Sequence, residues 1–196
     1  MRFNVSEVND CIRSRRTVVP ESFSARKVHR ELIEIMLENA RWAPTHRLTQ
    51  PWRFKVFMEE GLKKFGDWHA DTYKSITPPE DFKEHKYKKL KERPLLASAV
   101  IAIVMHRDEE HSVPEVEEIS ATAAAVENMY ITCSAYGLGG YWGSGGLTYT
   151  QEMKDFLGIG EEDRCLGLFF VGYPEGEWPR QKPRTERRIF TEWITE

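Results

Sequence analysis

Residues 95–106, LLASAVIAIVMH, form an almost unbroken apolar run rich in Val and Ile. A run of this kind suits a strand buried on both faces rather than one with a wet side. Such a strand needs cover above and below, which makes a small sheet with helices packed on it the economical solution. Two further segments read as strands. Residues 53–58, RFKVFM, set Phe54, Val56 and Met58 against Arg53 and Lys55, and residues 165–174, CLGLFFVGYP, are again apolar. The expected sheet therefore has three strands.

The remaining periodic segments read as helices. Ser6 is placed to cap a short helix through about Arg13, with Val8 and Ile12 four residues apart. From Ser24 to Ala43, Val28, Leu32, Met36 and Ala40 make an i, i+4 stripe, and Pro44 stops the helix because the residue before a proline leaves the helical region. Residues 59–93 are highly charged and predict helix with mobile connections. A long helix over Val116–Tyr136 is lined by Ala121, Ala123, Ala124 and Ala125 and closed by Gly137. A shorter one follows Thr148, with Gln151 as a capping-box partner and Gly158 as its stop. These elements predict one α+β domain, without repeats, linkers or low-complexity segments.

Charge narrows the function classes. The formal net charge of −3 argues against a general nucleic-acid binder. Basic residues nevertheless collect at both ends, as Arg13, Arg15 and Arg16, and as Arg180, Lys182, Arg184, Arg187 and Arg188. Two such clusters are suited to meet around one anion. Cys11, Cys133 and Cys165 offer neither a metal spacing nor a disulfide framework, which points to a reducing, cytoplasmic setting. The first residues carry no apolar leader core, and no apolar run approaches the roughly 18 residues of a membrane span.

Several segments invite a functional reading beside a plain one. APTHRLTQPWRF, residues 43–54, places His46, Gln50 and Trp52 in a connection, where binding residues often lie. His46 taken alone also reads as an ordinary turn histidine. SRRTVVPESF, residues 14–23, sets two arginines and a hydroxyl at a helix end, either as a solvated turn or as a phosphate clamp. GLGGYWGSGG, residues 137–146, is neither a P-loop nor a dinucleotide fingerprint, because it follows a helix and lacks the required spacing. It reads as a structural turn, while Tyr141 and Trp142 among glycines suggest close approach to something flat. His106 and His111 flank RDEE and read as solvated charge rather than as metal ligands. No paired carboxylates or nucleophile–base set stands out, so no catalytic side chain is assigned.

The order of these motifs along the chain resembles the FMN-dependent nitroreductase family, and in particular a small branch carrying Ala-Pro-x-His and Trp-x-Ser-Gly. The resemblance runs from Arg13 to about Trp193. It implies an α+β nitroreductase-like fold, a small and mainly antiparallel sheet surrounded by helices, and a homodimer with FMN at the interface. It also implies ping-pong transfer from NADH or NADPH through the flavin to nitroaromatics, quinones or related acceptors. Arg15, Arg16 and Thr17 match the segment that grips the flavin phosphate, ribityl chain and ring edge, and Lys182 and Arg184 match the basic pair closing on the same phosphate. His46 and Gln50 match the turn that reaches the partner's flavin, and Trp142, Gly143 and Ser144 match the segment along the isoalloxazine. The chain departs from the pattern at Trp42, Leu48 and Gly143, where relatives carry basic or polar residues. A change of reaction to dehalogenation or unsaturated-bond reduction, and flavin binding without turnover, are the competing expectations.

Overall fold

A computed structural model describes residues 3–196. At its centre lies a four-stranded antiparallel sheet in the order β1-β2-β4-β3, built from β1 (Trp52–Met58), β2 (Ala99–Met105), β3 (Gly139–Gly143) and β4 (Arg164–Gly172). Every residue of β2 is buried. Its side chains alternate between two cores, which is why the segment could be apolar throughout. Ala99, Ile101 and Ile103 face a layer made by α2 (Arg30–Ala40) and α5 (Glu115–Ala135), with Met36, Ala125, Met129 and Phe169 at its centre. Val100, Ala102 and Val104 face a second layer, where Phe65 of α3 (Glu60–Ile76) and Met153 of α6 (Gln151–Leu157) pack with Leu168. Each large side chain fully buried this way contributes roughly 1.5–3 kcal/mol of transfer free energy. The architecture is α+β, as the sequence predicts.

Several boundaries differ from the sequence reading, each for a local reason. The first helix, α1 (Val5–Ser14), is capped by Asn4, whose side chain accepts from the backbone N–H groups of Ser6 and Glu7; Ser6 lies inside the helix. The second helix begins at Arg30 rather than Ser24. The preceding residues are held extended, with Ser24 N–H donating to the Tyr173 carbonyl and Val28 N–H donating to Ser98 Oγ. Residues 93–96 form a 3-10 turn, so the β2 strand starts at Ala99 and not at residue 95. The α6 helix is capped by Thr150, two residues beyond the expected Thr148, and stops as expected at Gly158, whose φ is +60°. The charged stretch 59–93 folds into α3 and α4 (Glu84–Glu92).

The largest departure is the glycine segment. GLGGYWG, expected to be a turn, supplies the edge strand β3, paired to β4 from Gly139↔Gly172 through Gly143↔Leu168. Glycine is a poor strand former, so propensity hides this strand. Packing requires it: a Cβ on Gly140 would stand 2.7 Å from Phe169 Cζ and 3.1 Å from a Tyr130 ring carbon. No helix among the described residues is long and apolar enough to cross a membrane.

Candidate functional site

The two basic ends of the chain do meet. Ser14, the last residue of α1, offers its carbonyl to the Trp178 indole N–H at 2.8 Å. This hydrogen bond ties the C-terminal segment to the start of the chain. Beside it lies a depression of about 420 Å³ lined by Arg13, Arg15, Arg16 and Thr17 from one end and Arg180, Lys182 and Arg184 from the other. Six cations around one depression, in a chain of net charge −3, repel one another unless an anion is shared.

Protein carboxylates leave most of this charge uncompensated. The one ion pair to a lining residue among those described joins Arg15 to Glu127, and at 3.7 Å it is loose. Arg15 also stacks on the Tyr130 ring at 4.9 Å from its centroid. Arg16 spends one terminal nitrogen on the carbonyls of Arg13 and Arg15, at 2.6 and 2.7 Å. Its Nε is buried and has no hydrogen-bond partner among the described residues. A buried, unsatisfied donor amid uncompensated cations is the chemistry of an anion site, and a phosphate-bearing ligand fits it.

Thr17 connects this depression to the glycine strand. It forms a parallel bridge with Gly140, and Val18 N–H donates to the Gly140 carbonyl at 3.0 Å. Tyr130 reinforces the junction, its hydroxyl accepting from Trp142 N–H at 2.8 Å. Burial raises the Tyr130 pKa, keeping the phenol neutral, against the lowering effect of its contacts with Trp142 N–H, Thr17 and Arg15. The Trp142 side chain turns toward β4, donating from its indole to the Leu166 carbonyl at 3.1 Å. Gly143 must stay small, since a Cβ there would lie 2.6 Å from Tyr141 Cε1. The Tyr141 ring thus fills the space that a side chain at Gly143 would need. Ser144 is exposed just beyond the strand.

His46 and Gln50 do not line the basic depression. They lie in a turn whose backbone is held in the left-handed region at three non-glycine residues, Arg47, Leu48 and Gln50, with φ of 52°, 56° and 46°. Each such residue costs roughly 1 kcal/mol or more, and strain of this sort gathers at functional segments. His46 Nδ1 lies 2.5 Å from Glu117 Oε2 on α5, and the turn borders a shallow hollow over Val116, Ser120 and Ala124. Trp42 and Leu48, the other two departures, are exposed at 73% and 75%. The predicted residues therefore fall in two groups on one chain: the basic depression continuing into β3, and the His46 turn against α5. His106 and His111 pair with Asp163 and Glu162 at 2.9 and 3.2 Å.

Sequence reading missed a second cavity. Between α4, the 3-10 turn after it and the outer face of β3 lies a space of about 240 Å³, floored by Tyr141, Leu168 and Phe170. Lys86, Lys89 and Arg93 stand around it, and His69 closes its inner end. The one available signal was the lysine-rich stretch 83–91, whose spacing says nothing of what it would face.

Against known proteins, residues 12–173 match the model of the "Nitroreductase family". The YfhC protein of Bacillus subtilis (strain 168), which carries the provisional name of an NAD(P)H nitroreductase, is 32% identical over 95% of this chain and 94% of its own. The crystal structure of a nitroreductase-like family protein from Bacillus cereus superposes with a TM-score of 0.84 at 30% identity, covering 99% of this chain and 98% of that one. A nitroreductase-type protein of Desulfovibrio desulfuricans, crystallised with FMN, shares the fold at a TM-score of 0.68 and 22% identity, with full coverage of both chains.

Proposed function

The chain belongs to the nitroreductase family, and from that premise we propose that it is an FMN-dependent NAD(P)H oxidoreductase acting on nitroaromatics, quinones or related acceptors. The observation that carries this reading is the convergence of Arg15, Arg16 and Thr17 with Lys182 and Arg184 on one depression. FMN ends in a single phosphate, and this depression offers a single cluster of cations. The FMN held by the Desulfovibrio protein and the NAD(P)H in the YfhC name support the choice of cofactor and donor.

Bound FMN would supply a two-electron carrier that takes reducing equivalents from the nicotinamide and delivers them to the acceptor. The chain's own residues bind and orient. Arg15, Lys182 and Arg184 neutralise the phosphate, the free Nε of Arg16 gains the acceptor it lacks, and Thr17 offers a hydroxyl toward the ribityl chain. Trp142, Gly143 and Ser144, at the end of the edge strand, would border the planar ring. Reduction of a nitro group to nitroso consumes one NAD(P)H and one proton and releases water, and that proton comes from solvent because no described side chain is placed as an acid.

We further propose a homodimer in which the His46 turn of one subunit serves the site of the other. Supporting this, Val5, Val8 and Ile12 of α1 are 47–70% exposed, and Phe190, Trp193 and Ile194 of the tail are 71–85% exposed. Apolar surface of this extent calls for a partner. Three free cysteines suit a cytoplasmic setting.

The test is spectroscopic and kinetic. The purified protein should be yellow, with about one FMN per chain identified by mass after heat release. NADH or NADPH should bleach the flavin band, and acceptor-varied double-reciprocal plots should be parallel because one pocket serves both substrates in turn. A protein that stays colourless on FMN reconstitution would sink the reading, and one whose band never bleaches is a carrier rather than an enzyme.

A further inference from the structure

Tyr130 stands where the two halves of the basic depression and the glycine strand meet. It lies on α5 three residues after Glu127, so the two side chains share one face of the helix. Arg15 is held between them, 3.7 Å from the Glu127 carboxylate and 4.9 Å from the centroid of the Tyr130 ring. The ring itself is fixed in the core. It is 8% exposed and meets Phe169 edge to face, with centroids 4.7 Å apart. A rigidly packed phenol therefore seats one of the cations that line the depression.

The hydroxyl reaches the strand. Backbone pairing along the outer edge of β3 is confined to the bridge between Thr17 and Gly140. Two residues on, the Trp142 N–H donates to the Tyr130 hydroxyl at 2.8 Å. Thr17, which lines the depression, is in contact with that same hydroxyl. One oxygen atom thus touches the lining of the depression on one side and the backbone of Trp142 on the other. An anion in the depression would compete with Glu127 for Arg15 and with the phenol for the Thr17 hydroxyl. The Tyr130 oxygen would then be left to the Trp142 N–H, and a change at one end of the chain of hydrogen bonds would alter its other end.

We propose that Tyr130 is a positioning residue that couples the basic depression to the strand end at Trp142, so that a phosphate group held by Arg15 and Thr17 also sets the backbone that borders the flavin ring. The proposal rests on the FMN reading above for the identity of the ligand, but the coupling itself does not, since any phosphate in the depression engages the same groups. The hydroxyl is the part of the side chain that carries the coupling. The ring packs and seats Arg15 without it. A neutral hydrogen bond contributes a factor of about two to ten in an equilibrium constant, which bounds the effect.

The variant is Tyr130→Phe, which removes the hydroxyl and keeps the ring under Arg15. FMN and riboflavin, which differ only by the phosphate, are titrated into the full chain and followed by flavin fluorescence. In the variant FMN should bind about three- to tenfold more weakly while riboflavin stays within about twofold, because only FMN occupies the depression. Equal losses for both flavins would make Tyr130 ordinary core packing and overturn the proposal, as would no loss for either. A wild type that binds neither flavin overturns the FMN reading, and the coupling is then decided by inorganic phosphate. It is titrated at constant ionic strength while backbone amide resonances are followed. The Arg16 and Thr17 amides should shift saturably in both proteins, and the Trp142 amide should follow them in the wild type and much less in the variant. A Trp142 amide that stays still in the wild type, or that moves equally in the variant, overturns the proposal. So does the absence of any saturable shift at Arg16 and Thr17.

Discussion

Lowering the pH from 7 to 5 should destabilise this protein by an amount assignable to one imidazole. His69 is 4% exposed, stacked among Phe65 and Trp68, and pressed against Gly146, whose added Cβ would lie 2.6 Å from its Nε2. Burial and the nearby Lys86 lower its pKa from 6.5 to about 4. The unfolded chain therefore takes up a proton, near its ordinary value, that the folded chain refuses. Stability is complete above about pH 6.5, falls as pH drops through the window, and levels off below about 4. Each tenfold difference in proton affinity between the folded and unfolded chain corresponds to about 1.4 kcal/mol. The whole window is then worth about 3 kcal/mol, of which about 2 is lost between pH 7 and pH 5. The matching variant is His69→Gln, whose amide oxygen can accept from Leu147 N–H and which does not titrate. Urea unfolding of both proteins, at one fixed protein concentration and at both pH values, gives the comparison. Asp163, Asp108 and Glu21, whose pKa values are lowered, contribute acid sensitivity common to both proteins. The wild type should lose about 2 kcal/mol more than the variant. Losses equal within about 0.5 kcal/mol would refute the claim that His69 is buried uncharged.

Glu118→Ala should cost about 3 kcal/mol in urea unfolding, because it leaves the half-buried Arg107 guanidinium without its partner and Asp108 N–H without the carboxylate it donates to. Gly140→Ala should destabilise by about 1–3 kcal/mol and shift near-ultraviolet circular dichroism, since its methyl collides with Phe169 and Tyr130; unchanged thermal unfolding would contradict the packing of β3. Arg184→Ala should weaken FMN binding by about 10- to 150-fold in a fluorescence titration, with little change in folding because the side chain is exposed. FMN affinity within about twofold of wild type would remove Arg184 from the site.

What the sequence disclosed followed the strength of local constraint. The β2 strand and the α5 helix were legible because burial on both faces, or along a stripe of small residues, leaves a direct imprint on composition. Gly139–Gly143 was not, because its strand is imposed by Phe169, Tyr130 and β4, which lie elsewhere in the chain, against glycine's own preference. The start of α2 at Arg30 was hidden for the same reason: the stripe through Val28 is helical in pattern, but Ser98 and Tyr173 hold that segment extended. At the site, like charges at both ends foretold the basic depression. The lysine-lined cavity stayed hidden, because no spacing in 83–91 reveals which faces of α4 meet Tyr141 and Phe170.

The hydrogen bond from Trp178 to Ser14 has a consequence for the order of events in the cell. Arg15 and Arg184 are separated by about 170 residues, and at ribosomal speeds of about 5–20 residues per second the second cluster is made roughly 10–35 s after the first. Until then the leading arginines have no counterpart across the depression, and no anion can be clasped from both sides. On the proposed site, capture of the FMN phosphate therefore waits until the second cluster has been made. On the same proposal, a chain cut short before Trp178 would keep all four strands yet emerge colourless, so that colour would report the making and docking of the segment from Trp178 to Arg184.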